Sequence, residues 1–332
     1  MKCQYIFLSL LFSFGAYAEA NLQKVLNKYQ IAGGCYAHLR DGKLSYVSEG
    51  TASLHSVVPV NQHTLFRVGS LTSLFTSHVL AQLSIEHRLK LDDPASKFLS
   101  RRQNVPHFGS KEITLFELAT HTSGLPANAF ISNEPALLQS RALYSFLNSH
   151  KLENIPGKKI EYSPVGFVLL SAVLTRASKE PMSALIEKIV CRRHGMEDTT
   201  YTLTRTLQQT IAFGHIKQQL LDPKHQENRG SSFYDALGLY SSAYDMGQLL
   251  QFYAVESKES EPLQNIIFRS ETKPMGLKRR DLASGVYELS SRLMGFSGYF
   301  IFDREKQEGL VLLLNREDIP IEEIGKELYR AF

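Results

Sequence analysis

The sequence predicts an α+β fold on three observations. Residues Gly34 to Val47 alternate in polarity around Asp41-Gly42, a hairpin signal; the middle of the chain is a succession of helical patterns; the last third returns to strands and closes in an amphipathic helix. That order suits a sheet domain interrupted by a helical insertion.

Residues 1–18 read as a secretory signal peptide. Lys2 supplies the charged start, Tyr5 to Tyr17 is an apolar run too short to span a bilayer, and Ala16-Tyr17-Ala18 fits small-x-small cleavage, so a mature chain would begin at Glu19. Cys3 leaves with this segment, and its neighbours do not match a lipid-attachment site. No later stretch is apolar for long enough to cross a membrane as a helix. The expectation is an exported, soluble protein, periplasmic in a Gram-negative host.

Asn21 to Tyr29 has a helical pattern with Leu22, Val25 and Leu26 on one face. A second helix is expected from Ser70 to Leu89, where Leu71, Phe75, Val79 and Leu83 recur at every fourth position. Leu89-Lys90-Leu91-Asp92-Asp93-Pro94 should end it, because proline disfavours helix in the residue before it. Ile113 to Ala119 reads as a short helix entering the loop His121 to Pro126, and Ala136 to Ser149 as a further helix. Ser163-Pro164 is a helix start, with serine suited to the cap and proline to the first turn. Met182 to Ile189 is helical. Arg292 to Phe302 and Leu310 to Leu314 read as strands around a polar turn, Asp303 to Gly309. Ile321, Ile324, Leu328 and Phe332 align on one face of a closing helix.

Composition excludes several functions. Without Lys2 the chain carries 36 basic and 33 acidic side chains, a formal charge of +3, and the basic residues are scattered rather than striped, so nucleic acid is not a partner. Cys35 and Cys191 fall in different predicted elements and are expected as separate buried thiols, although an oxidising compartment permits a disulfide. There is no Gly-x-Ser-x-Gly elbow, His-Glu-x-x-His, Cys-x-x-Cys or phosphate loop, so no metal, nucleotide or other cofactor is implied.

Six segments carry a resemblance. Phe66-Arg67-Val68-Gly69-Ser70, Leu91-Asp92-Asp93-Pro94, Thr120-His121-Thr122-Ser123-Gly124-Leu125-Pro126, Tyr162-Ser163, Gly195-Met196-Glu197-Asp198-Thr199 and Gly238-Leu239-Tyr240-Ser241-Ser242-Ala243-Tyr244-Asp245 occur in this order. Together they resemble the class C β-lactamase-like, penicillin-binding protein-like serine hydrolases, which include D-Ala-D-Ala carboxypeptidases, D-aminopeptidases and esterases. The resemblance covers nearly all of residues 19–332. It implies an antiparallel sheet flanked by helices, with a helical subdomain over roughly 85–215. Its ligands would be a peptidoglycan-like peptide, an ester or a β-lactam, and an envelope protein is a further candidate partner.

The family writes its nucleophile motif Ser-x-x-Lys, and here Ser70 is followed at the lysine position by Ser73. Positions i and i+3 share a helix face, so the missing lysine would have pointed at the serine. The second motif is a proton-shuttling tyrosine followed two residues on by asparagine, and here Tyr162 is followed by Pro164. The third motif places Lys or His, then Ser or Thr, then Gly on a strand that also supplies an oxyanion-hole N–H. Phe296-Ser297-Gly298 is its expected counterpart, with Phe296 in place of the cation. The candidates are therefore Ser70 and Tyr162 as the catalytic pair, with Ser73, Ser297 and Gly298 contacting substrate. Each has a plain alternative: Ser70 as a small helix-start residue, Tyr162 as a cleft-lining ring, Ser297 as a strand residue. His121 reads as bracing its turn, Asp245 as part of a helix start, and Arg67 as a structural ion-pair partner. Lys273 and Arg292 are candidate replacement cations.

The two losses bear on one proton. A tyrosine titrates near pKa ~10, and bringing it to 7 takes about 4 kcal/mol of differential stabilisation, normally from nearby cations. Losing a proton-transfer partner costs ~10²–10⁴ in rate. The sequence therefore predicts a serine-hydrolase cleft with impaired or absent turnover; an active serine hydrolase that acylates Ser70 is the alternative.

Overall fold

The computed structural model describes residues 21–331, apart from 101–102, 128–139, 206, 222–231 and 282–283. The signal-peptide segment, the start of the helix expected at Ala136, and Phe332 lie outside the described residues.

A six-stranded antiparallel sheet organises the molecule. Its strands are β1 (Gly33–Arg40), β2 (Lys43–Gly50), β3 (Lys278–Arg279), β4 (Val286–Leu293), β5 (Phe296–Asp303) and β6 (Glu308–Leu314), in the spatial order β2-β1-β6-β5-β4-β3. The first and last parts of the chain meet at its centre, where β1 pairs with β6 through partners such as Tyr36 and Leu312. Asp41 and Gly42, both at positive φ, make the β1–β2 turn where expected.

Both faces of the sheet are covered, which explains why its central strands read as unbroken apolar runs. On one face Tyr36, Tyr299, Ile301, Leu310, Leu312 and Leu314 pack with helix α1 (21–29) and the terminal helix α5 (Ile321–Arg330). Leu22, Val25, Leu26, Ile321, Ile324 and Leu328 are the buried side chains of those two helices. The opposite face presents Cys35, Ala37, Leu39, Phe300, Phe302, Val311 and Leu313 to the larger core. That core contains α2 (Thr72–Ile85), α3 (Pro164–Ser178) and α4 (Ala243–Ala254). Alternation along β6 decides the split: even-numbered leucines go to one face, Val311 and Leu313 to the other.

α2 is buried all round from Thr72 to Ala81, as a helix at the centre of a large core should be. It ends at Ile85, four residues before the expected end. His87 adopts a left-handed conformation and Arg88 N–H returns to the Leu83 carbonyl, which stops the helix before any proline acts. Local signals hold elsewhere. Thr114 and Glu117 form a reciprocal capping box on Leu115–Ala119, and the Ser163 hydroxyl accepts the Gly166 N–H at 3.2 Å to open α3, with Pro164 in its first turn. The helix from Met182 does not stop at Ile189; it continues as a π segment over Glu187–Cys191 and one further turn, Arg192–His194.

One expectation fails with consequences. Arg292 to Phe302 is not a single strand. The chain reverses at Met294-Gly295, both at positive φ, and the residues before this turn form β4. A Cβ on Gly295 would lie 2.4 Å from the Gly214 carbonyl carbon, so the tight reversal is possible only without a side chain there. Cys35 and Cys191 are free and buried.

Candidate active site

Ser70 lies in a single 3₁₀ turn, Gly69–Leu71, that runs directly into α2. The turn is held from below by Leu71, which is fully buried, and from the side by β4. The helix dipole of α2 places partial positive charge at this end. The Tyr162 phenol lies near enough to Ser70 for the serine side chain to draw its pKa down. Ser70 and Tyr162, distant in sequence, are thus brought together.

Tyr162 is held by a relay of backbone contacts. The Glu161 N–H donates to the His121 carbonyl at 2.7 Å, the Ser163 N–H donates to His121 Nδ1 at 3.1 Å, and the Ser163 hydroxyl donates to the Pro126 carbonyl at 3.0 Å. The His121 ring lies 4.6 Å from that of Tyr162 and 4.9 Å from Phe167. His121 is buried, and burial lowers its pKa to about 4, so it is neutral at pH 7. Because Nδ1 accepts the Ser163 N–H, the ring proton resides on Nε2 and no lone pair is left to act as a base. His121 sits at φ 54° and braces the turn, as the sequence implied.

Desolvation raises the Tyr162 pKa above its ordinary value although the residue is 40% exposed, the nearby Ser70 side chain opposes that, and no positive charge among the described residues contributes. The two candidate replacement cations are engaged elsewhere. Lys273 Nζ donates to the Gly157 carbonyl at 2.8 Å, while Arg292 bonds to Glu322 and to the Ile319 carbonyl. Ser73 is buried and its hydroxyl donates to the Gly276 carbonyl at 3.2 Å; Gly276 N–H in turn donates to the Ala119 carbonyl at 2.8 Å. Ser73 therefore ties α2 to the loop at Gly276.

The expected third motif lies on β5. Along β5, Phe296, Gly298 and Phe300 face the large core, whereas Ser297 faces the side of the terminal helix and donates to the Arg316 carbonyl at 2.7 Å. Ser297 is on the wrong face of the sheet to meet a ligand at Ser70. Gly298 lies behind Leu71, whose Cδ1 would be 3.0 Å from a Cβ there. Phe296 is core, packed edge-on against Phe66 at 6.4 Å. The strand alongside the nucleophile turn is β4. Ser291 on β4 accepts the Ser70 N–H at 2.9 Å, which sets the run Leu289-Ser290-Ser291 beside the nucleophile turn. Sequence reading missed Ser291 because its strand began at Arg292 and ran across the turn into β5, leaving most of β4 unassigned. The Met294-Gly295 dipeptide between two β-rich stretches was the available signal.

Two motif residues are structural. The Arg67 guanidinium donates to the Tyr240 hydroxyl at 2.8 Å and stacks over the rings of Tyr234 and Tyr240. Asp245 lies in the first turn of α4, whose cap is Ser242; its carboxylate accepts the N–H groups of Asp198 and Thr199 at 2.9 and 2.7 Å, joining two motifs. Burial raises its pKa to about 6.

A sheet covered on both faces, with a serine opening the buried helix and a tyrosine phenol near it, is the arrangement of the penicillin-recognising serine hydrolases. The chain belongs to the Beta-lactamase family, whose model matches residues 18–331. It is 30% identical over 225 residues to the D-alanyl-D-alanine-carboxypeptidase/endopeptidase AmpH of Escherichia coli K12, a match covering 64% of this chain and 57% of that protein. A β-lactamase of Pseudomonas fluorescens is 25% identical over 257 residues, covering 76% of this chain and 68% of its own length. Against AmpH the matched part therefore spans little more than half of the relative. Among solved structures, a β-lactamase/D-alanine carboxypeptidase from Pseudomonas syringae superposes with a TM-score of 0.79 at 20% identity, covering 95% of this chain and 97% of that one, which shows the shared fold. No helix among the described residues is long and apolar enough to cross a membrane.

Proposed function

We propose that this chain is an exported member of the family that retains the cleft but has lost efficient acyl transfer, and that it binds a ligand there without rapid turnover. The observation that carries this reading is the Tyr162 phenol near Ser70 with no cation among the described residues acting on that phenol. Two neutral hydroxyls cannot exchange a proton usefully near pH 7 when the acceptor titrates above ~10. The ligand class is a peptide ending in D-alanine, or a β-lactam that mimics one, by analogy with the relative named for D-alanyl-D-alanine peptides. Residues 1–18 direct export to the periplasm, and N-terminal sequencing of the mature protein should begin at Glu19.

The test is mass spectrometry of the intact protein after incubation with a penicillin. The expected result is an unshifted mass over minutes at millimolar drug. A stoichiometric adduct on Ser70, or rapid loss of the drug, sinks the reading.

A second reading is a slow esterase. Ser70 and Tyr162 remain paired, and the segment carrying Tyr162 exposes Ile155 and Ile160, which suit an uncharged apolar acyl group better than a carboxylate. It requires hydrolysis of a p-nitrophenyl ester that Ser70→Ala abolishes; equal rates for both proteins eliminate it.

A further inference from the structure

The N–H of Ser70 already has a partner. Ser291 Oγ accepts it at 2.9 Å, from a side chain that is itself buried. In a serine acyltransferase the nucleophile's own N–H is one of the donors that hold the substrate carbonyl oxygen as it becomes an oxyanion. We propose that the Ser291 hydroxyl occupies this donor as an internal stand-in for the substrate oxygen, so that any carbonyl or tetrahedral ligand at Ser70 must first displace it.

Packing fixes the hydroxyl in that position. Gly69 adopts φ +53°, and a Cβ built there would lie 2.3 Å from Ser291 Oγ and 3.1 Å from Leu293 Cβ. The oxygen is therefore pressed into the crease between the turn and β4. Its strand sets the direction: Leu289, Ser291 and Leu293 face the turn, while Ser290 and Arg292 face the terminal helix and bond Glu322. Glycine at 291 would leave the donor free, and serine fills it. The effect is separate from the missing cation, because it removes electrophile activation rather than nucleophile activation.

The inference rests on the weak-turnover reading of the site, and its test separates the two. Wild type, Ser291→Gly and Ser291→Ala are incubated with an alkyl fluorophosphonate, each with a Ser70→Ala counterpart. Ser70 Oγ forms a bond to phosphorus, the P–F bond breaks, fluoride leaves and the serine proton passes to solvent. The phosphoryl oxygen needs the same N–H donor as an acyl oxyanion. The expected result is labelling at least tenfold faster in both variants than in wild type, bounded by the ~10²–10³ that a single such donor supplies. Labelling must vanish in the Ser70→Ala counterparts. Equal rates, including none in any protein, overturn the proposal. Circular dichroism melts establish that the variants are folded, and the alanine variant serves if the glycine variant is not. Rapid labelling of wild type would count against weak turnover alone, because the ratio to the variants still judges Ser291.

Discussion

His121 Nδ1 accepts the Ser163 N–H at 3.1 Å, and this bond assigns the imidazole a holding role beside Tyr162 rather than a chemical one. The same burial that keeps the ring neutral couples it to stability. Its folded pKa of about 4 lies below the ordinary value near 6.5. The unfolded chain therefore binds the extra proton first, so the neutral ring's contribution is complete above ~6.5 and is lost as pH falls toward 4. At ~1.36 kcal/mol per pKa unit the total is about 3 kcal/mol. Asp245, raised to about 6, has the opposite sign and gains stability as pH falls through that range, so variants must be compared with one another. His121→Asn keeps an acceptor and tolerates the left-handed backbone. Urea midpoints between pH 6.5 and 4.5 should fall less steeply in this variant than in wild type; parallel profiles would refute the assignment.

Phe296→Lys should not restore a third-motif cation. Phe296 is core beside Phe66, so the substitution removes an aromatic ring and buries an unpaired ammonium. A loss of about 3–5 kcal/mol or more is expected, read as a large drop in the denaturant midpoint. A near-normal midpoint would show that position 296 opens to the cleft.

Ser73→Lys is the informative gain-of-function change. It returns an amine one helical turn from Ser70, at the cost of the Ser73–Gly276 bond. Acylation by a penicillin should rise ~10²–10⁴ over wild type while thermal stability falls. Intact-mass kinetics decide it: a folded variant without faster acylation means that the lysine is not the limiting absence.

Ser163→Ala should act on both fold and site. The hydroxyl accepts the Gly166 N–H and donates to the Pro126 carbonyl, so its removal uncaps α3 and releases the loop beside Tyr162. About 1–2 kcal/mol of stability should be lost, measured by chemical denaturation. Ser163→Asp, which can still cap, should recover most of it; no difference between the two variants would argue against capping as the cause.

His78 is fully buried on α2 with neither ring nitrogen hydrogen-bonded among the described residues, packed 4.7 Å from Phe252 and 5.1 Å from His194. Burial drives its pKa well down. An apolar side chain of similar size should relieve about 1–3 kcal/mol of unpaid desolvation. His78→Leu should thus melt higher than wild type, with a larger gain at pH 5 than at pH 7.5; a lower melting temperature at both pH values would contradict this.

What was legible in the sequence is what local rules determine. The Asp41-Gly42 turn, the Ser163-Pro164 helix start and the Ile321, Ile324, Leu328 stripe each depend on neighbours within a turn or two, and each is where it was expected. The ordered motifs were enough to bring Ser70 and Tyr162 to one place. What only the tertiary structure decided is which strand flanks the serine and which way its side chains face. Strands buried on both faces carry no alternation to mark their ends or their orientation. The stretch through Met294-Gly295 therefore read as one strand, and the motif was placed on β5 although the strand that meets the Ser70 N–H is β4, through Ser291. A hydroxyl's partner is likewise a fact of packing: nothing in the local sequence tells that Ser73 is spent on Gly276, or that the Ser70 N–H is already bound.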